Sequence, residues 1–200
     1  MSDKNPDTKT AAESAASNDT ELAKLVDTLS TGSRRERQQA AATIYAVAKI
    51  APKKLVPHIE VLIDALNRPE GQTRWETLEA LTILVDFDAR TCSKAIPEAE
   101  TALFDEESGP VRLGAMRFLC KLGSTTPTRS EKVWPLVDEG IQCYHGDLEF
   151  NDMLVALLDF SNGKLAPSVK TAFAQRMSFD AQNAKGTLGR RAKQIVENLS

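Results

Sequence analysis

Residues 110–123 read PVRLGAMRFLCKLG, and the reading of this stretch decides the fold. Pro110 suits a first helical position, where its missing N–H would have no intrahelical partner and its fixed φ is already helical. From there Val111, Ala115, Phe118, Leu119 and Leu122 recur at helical spacing and make one apolar stripe. Gly123 supplies the residue most often found just past a helix end. Gly114 and Ala115 are small enough to let a neighbouring helix come close near the start. Arg112, Arg117 and Lys121 lie off the stripe. The stretch reads as a packing element.

Versions of it can be laid over the chain five times. Arg112 aligns with Arg37, Arg74, Asn151 and Gly189, in successive steps of 37, 38, 39 and 38 residues. The Ala115 position becomes Ala40, Thr77, Leu154 and Ala192. The Leu119 position becomes Ile44, Leu81, Leu158 and Val196, and the Leu122 position Val47, Leu84, Ser161 and Leu199, with one polar exception. A second marker lies upstream of three of these copies: Pro57, Pro97 and Pro135 are 40 and 38 residues apart. Each falls inside a helical pattern, where proline kinks or interrupts a helix.

Two helices per repeat and a period near 38 residues resemble the HEAT/armadillo class. The likeness runs from about Thr20 to Ser200, and PVRLGAMRFLCKLG is similar to the second helix of a HEAT repeat. It implies an all-α, right-handed α-solenoid of about five HEAT-like helix pairs, with repeats at about 19–51, 53–88, 89–124, 127–163 and 167–200. The fourth repeat departs from the pattern at Asn151 and Ser161, and the fifth at Gly189, as a terminal repeat can. Residues 1–18 are polar, rich in alanine and serine and without periodicity, and they read as a disordered tail. The first helix is expected to begin where Asn18, Asp19 or Thr20 caps Leu22, Leu25, Val26 and Leu29.

Composition narrows the function classes. With 42% hydrophobic and 26% charged residues, the chain can bury a continuous core. A net charge of −3 gives no reason to expect nucleic acid as the main partner. No apolar run approaches the roughly 18 residues of a membrane helix, and the N-terminus lacks the apolar core of a secretory signal. Cys92, Cys120 and Cys143 have no C-x-x-C spacing, which fits a reducing cytoplasm. Charge is unevenly spread: Glu131 to Phe160 holds seven acidic residues against one lysine, and Lys164 to Ser200 seven basic against two acidic. Those segments read as solvated faces or as a charge-complementary contact.

No catalytic, phosphate-binding or dinucleotide motif is present, and no cofactor site is expected. The group Cys143, Tyr144, His145, Gly146 and Asp147 has ligand types without metal spacing. A looser second resemblance is to alkylpurine DNA glycosylases built of HEAT-like repeats, which use a basic concave surface carrying aromatic residues and an aspartate. Trp75 and Trp134 with Arg74, Arg112 and Arg117 resemble that mixture, but the acidic total charge opposes phosphate neutralisation. No Trp/Asp motif matches residue by residue. The sequence therefore points to a non-catalytic scaffold or adaptor for another protein or peptide, with Arg74, Trp75, Arg112, Leu113 and Arg117 as candidate contacts. The row Arg37, Arg74 and Arg112 reads either as a ladder tying adjacent turns or as a ligand-binding row. Trp75 and Leu113 share a column that faces away from the core, and in HEAT solenoids the second helices tend to line the concave surface. The alternative is nucleic-acid binding through Lys185, Arg190, Arg191 and Lys193.

Overall fold

A computed structural model describes residues 6–200, all in helices, turns and connecting segments. The expectation of disorder for residues 1–5 lies outside the described residues. In the first repeat, α2 (Asp19–Thr31) starts at Asn18, whose side chain accepts from the Thr20 and Glu21 amides. It is followed by α3 (Arg34–Ile50), opened by a capping box between Ser33 and Glu36. The second repeat comprises α4 (Pro52–Leu55), a tight turn at Val56–His58, α5 (Ile59–Ala65) and α6 (Gly71–Cys92). The third has a tight turn at Ser93–Ala95, α7 (Ile96–Leu103) and α8 (Gly109–Gly123). The fourth is α9 (Pro127–Tyr144) with α10 (Phe150–Ser161), and the fifth α11 (Pro167–Asn183) with α12 (Gly186–Leu199).

Residue contacts divide the chain into two compact units, one ending at Ala115 and the other beginning at Met116, within α8. In the N-terminal unit α3 packs against α2 and α6, and α5 against α2 and α6. Its core holds Leu22, Val26, Leu29, Ile44, Val47, Leu55, Ile59, Leu62, Leu78, Leu81 and Leu84. Gly114 lets α8 approach α6, since a Cβ there would stand 3.3 Å from the Leu78 Cβ. In the C-terminal unit α11 and α12 pack on each other, α10 on α12 and α9 on α11, around Phe160, Phe173, Met177 and Ile195.

Proline sets the joints between repeats. Ala51, Thr126 and Ala166 each precede a proline at the next helix start, and all three are out of the α region (φ −144°, ψ 54°; φ −150°, ψ 154°; φ −65°, ψ 147°). The ring of the following proline disfavours α backbone at that position. The remaining joint has no proline. There Asp88 (φ −150°, ψ 74°) breaks α6 and accepts from the Thr91 amide and hydroxyl at 2.9 and 2.6 Å. Pro57 falls in the tight turn that interrupts its first helix, Pro97 is the second residue of α7, just after the tight turn, and α9 runs unbroken through Pro135.

Three sequence expectations change. The tail is not disordered from residue 6: Pro6–Ser17 forms a helix, α1, that packs on α2 and α3 with Thr8, Ala12 and Ala15 buried. Small residues carry almost no hydrophobic periodicity, so the pattern missed a helix held by close approach. In the fourth and fifth repeats the buried position is not Leu158 or Val196, both half-buried, but Leu157 and Ile195, one residue earlier. Finally, Gly189 does not need explaining as a terminal irregularity. A Cβ there would stand 2.1 Å from the Ala184 carbonyl oxygen, so the backbone leaves no room for the arginine the repeat would call for. The polar exception Ser161 is buried and satisfied, donating to the Leu158 carbonyl at 2.7 Å and accepting from Asn198 at 2.8 Å.

Two outcomes follow. Gly189→Ala should destabilise the chain by about 1–3 kcal/mol through overpacking, and Gly189→Arg by more, in urea unfolding. Ala15→Glu should free the α1 amides to hydrogen exchange while leaving α11 and α12 protected. Its cost, about 1–3 kcal/mol for an unpaired buried polar group, cannot exceed the docking energy of α1.

Candidate partner-binding face

The row of arginines has partners inside the N-terminal unit. From α3, Arg37 donates through Nη1 to the Gly32 carbonyl at 2.8 Å and through Nε to Glu70 at 3.3 Å, with Nη2 closing a second bond to the same carboxylate. From α6, Arg74 Nη1 meets the Asp105 carboxylate at 2.7 Å. From α8, Arg112 Nη1 donates to the Asp105 carbonyl at 2.9 Å. Each arginine thus ties the turn before its own helix, the turn before the next second helix, or both. Lysines repeat the device between first helices: Lys54 pairs with Asp19 at 2.7 Å and Lys94 with Glu60.

Burial and charge act against each other at these carboxylates. The Arg37 hydrogen bond holds the Glu70 carboxyl below its ordinary range although burial pushes it up. At Asp105 burial pushes upward most strongly. The Arg74 hydrogen bond and charge, joined by the Glu107 and Ser108 amides, more than reverse it and leave the group below its ordinary range.

Of the residues singled out in the sequence, Arg74 and Arg112 therefore join turns within the N-terminal unit. Trp75 and Leu113 are half-buried on α6 and α8 of that unit. Arg117 belongs to the C-terminal unit, where it is half-buried and has an interaction of its own. In α12 and the turn before it, Lys185, Arg190 and Lys193 are exposed, while Arg191 is half-buried and donates to the Asn151 carbonyl. The contrast between acidic and basic segments resolves partly as an internal contact: Arg176 of α11 grips Asp138 of α9 at 2.6 and 2.9 Å. Trp134 packs at a tilt against Phe173 with ring centroids 5.1 Å apart. His145 sets Nε2 3.1 Å from the Asp180 carboxylate and packs on the Phe150 ring, contacts that no local spacing announces.

Sequence reasoning passed over Ile50 and Phe87, which are 55% and 41% exposed at the ends of the helical runs of α3 and α6. They are 37 residues apart, in the same register as Arg37 and Arg74, and that register could have found them.

No family model matches the chain, and no curated protein matches it. Solved structures do. A designed armadillo repeat protein in complex with the peptide (KR)4 superimposes with a TM-score of 0.76 at 14% identity, covering 96% of this chain and 91% of that one. Computationally designed armadillo repeat proteins for modular peptide recognition give 0.73 at 13% identity, with 96% and 92% coverage. An engineered protein gives 0.74 at 17% identity, with 96% and 90% coverage. The fold is an armadillo/HEAT-like α-solenoid. At such identities the likeness is one of fold alone. Among the described residues no helix is long and apolar enough to cross a membrane.

The ladder makes a pH prediction. Both Glu70 and Asp105 titrate below their unfolded values, so the stability they contribute is complete above the ordinary carboxylate range. It is lost as pH falls through their lowered values. The urea midpoint should therefore hold from neutral pH down to about 5 and fall below about 4. In the variant Glu70→Gln/Asp105→Asn the midpoint should be lower at neutral pH and its acid decline shallower.

Proposed function

We propose that the chain is a non-catalytic scaffold that binds a peptide or protein segment along the exposed line of its second helices. The observation that carries this reading is Trp75. It is half-exposed on α6, on the side opposite Thr77, Leu81 and Leu84, which are fully buried. A large aromatic that keeps part of its ring in water on a rigid helix is the side-chain type that anchors interfaces. Glu79 and Thr82, both half-buried, and exposed Asp86 continue the same line of α6 toward its end.

The arginine ladder supports this reading indirectly. By joining successive turns it fixes the spacing of the helices that carry the line, so a bound segment would meet a preformed surface and cost little ordering entropy in the scaffold. Arg74 and Arg112, candidate contacts on sequence grounds, serve the ladder in this reading, because both guanidiniums already hold Asp105. The two designed armadillo neighbours, one in complex with the peptide (KR)4 and one made for modular peptide recognition, support this reading. Three free cysteines, Cys92 and Cys120 buried and Cys143 exposed, suit the cytoplasm as the proposed compartment.

A peptide library panned on the wild-type chain tests the proposal. Peptides enriched on wild type should bind Trp75→Ala about tenfold or more weakly, with far-UV circular dichroism and melting temperature unchanged. Equal binding by the variant would refute a role for this line, and unfolding would make Trp75 a core residue. If no peptide is enriched while duplex DNA is shifted at low salt and released at high salt, the exposed Lys185, Arg190 and Lys193 become the functional surface.

A further inference from the structure

We infer that the N-terminal unit carries a second docking surface, separate from the Trp75 line, for an acidic segment bearing apolar side chains. It lies where α3 and α6 end and the chain turns into the next repeat. Two columns repeat there in register. Ile50 and Phe87 close the two second helices and are the exposed large apolar residues among the described residues of that unit. Lys53 and Arg90 follow by three residues, both exposed and again 37 apart. The turn residues between them, Ala51 and Asp88, have nearly the same backbone (φ −144°, ψ 54° and φ −150°, ψ 74°), so the two edges present their side chains alike.

Because α3 and α6 pack on each other, the two rungs stand about 8–10 Å apart, the usual spacing of packed helices. Three residues of a polyproline II segment, one turn of that helix, cover about that distance and return the side chain to the same face. An occupant with an apolar side chain at every third position and carboxylates between would seat two anchors and meet both cations. Charge decides the sign of the partner. Lys49, held 3.9 Å over the Tyr45 ring, joins Lys53 and Arg90 around the apolar pair. Of the two carboxylates within residues 45–53 and 83–92, Asp88 is turned to Thr91 and also feels the Arg90 charge, and Asp86 is exposed. The positions one repeat further on are Thr125 and Thr128, neither apolar nor charged, so the pattern is confined to these two edges. Exposed apolar residues placed singly need no explanation, but two in register, each followed by a cation, form a surface with its own chemistry.

The test is fluorescence anisotropy on the full chain with three labelled peptides of equal length: leucine with glutamate, leucine with lysine, and serine with glutamate. Wild type should bind the leucine–glutamate probe at least about tenfold more tightly than either other probe. Ile50→Ser/Phe87→Ser should lose that binding. Lys53→Glu/Arg90→Glu should lower it by a similar factor and shift the preference toward the lysine probe. All four substituted side chains are exposed, and circular dichroism confirms that the variants fold. Trp75→Ala should bind the probe like wild type, which separates this surface from the line proposed above. Equal affinity for the two leucine probes would overturn the inference. So would loss of binding in Lys185→Glu/Lys193→Glu with retention in Lys53→Glu/Arg90→Glu.

Discussion

A helix pair of this length cannot bury its apolar residues alone, and stacking is the constraint on which the rest of the structure depends. The clearest case is α3. Its buried residues, Ala40, Ala41, Ala42, Thr43, Ile44, Val47 and Ala48, wrap too far around the helix to be covered by α2 alone. One flank is met by α6. The other would face water were α1 not there. That requirement explains why a stretch as weakly hydrophobic as Pro6–Ser17 is helical: it takes the position a preceding second helix would take. Its alanines bring it close enough for dispersion contacts, and Gln39 reaches Thr8 at 3.3 Å across the contact.

Stacking buries apolar area without fixing how far one helix slides along the next, and the arginine ladder supplies that information. The bonds from Arg37 to Glu70 and from Arg74 to Asp105 join residues 33 and 31 apart in sequence. They are short, directional and partly shielded from water, so sliding a helix by one turn would break them and leave half-buried charges unpaired. In the C-terminal unit Asn151 and Gly189 replace the arginine, and the unit ties its helices differently, through Arg176 to Asp138 and Arg191 to the Asn151 carbonyl. The change of residue and the change of device go together, which is why the fourth and fifth repeats looked irregular.

How much of this was legible depends on the range of each interaction. The repeat, its period and the stripes of the first three repeats could be read because a helix facing a helix imposes a local 3.6-residue rhythm. The arginine row was visible too, and of its two readings the ladder is the one that the bonds to Glu70 and Asp105 bear out. Sequence alone left the ligand-binding row beside it, because a guanidinium looks the same whether it faces a partner or a carboxylate a repeat away. The slip from Leu158 to Leu157 and from Val196 to Ile195 escaped because both members of each pair are apolar, and only the packed neighbours choose between them. The α1 helix escaped for the opposite reason. Alanine and threonine bury little area each, and their contribution comes from what they allow the backbones to do. The candidate surface was half legible: Trp75 and Leu113 stand out as large residues off the stripe, while Ile50 and Phe87 hide at helix ends, where a pattern reading stops counting.

The ends of the second helices are also where the stacking constraint is weakest, and this connects fold to surface. Mid-helix in the N-terminal unit, Trp75 lies off the stripe and is still half-buried. At the last residue before a joint the backbone leaves the α region, as Ala51 and Asp88 do, and the chain turns away before a neighbour can cover the side chain. Ile50 and Phe87 keep about half of their surface in water there, and their neighbours Lys53 and Arg90 keep the edge soluble. The combination recurs at two successive joints, and it is the one that the proposed docking of an acidic, apolar segment would use.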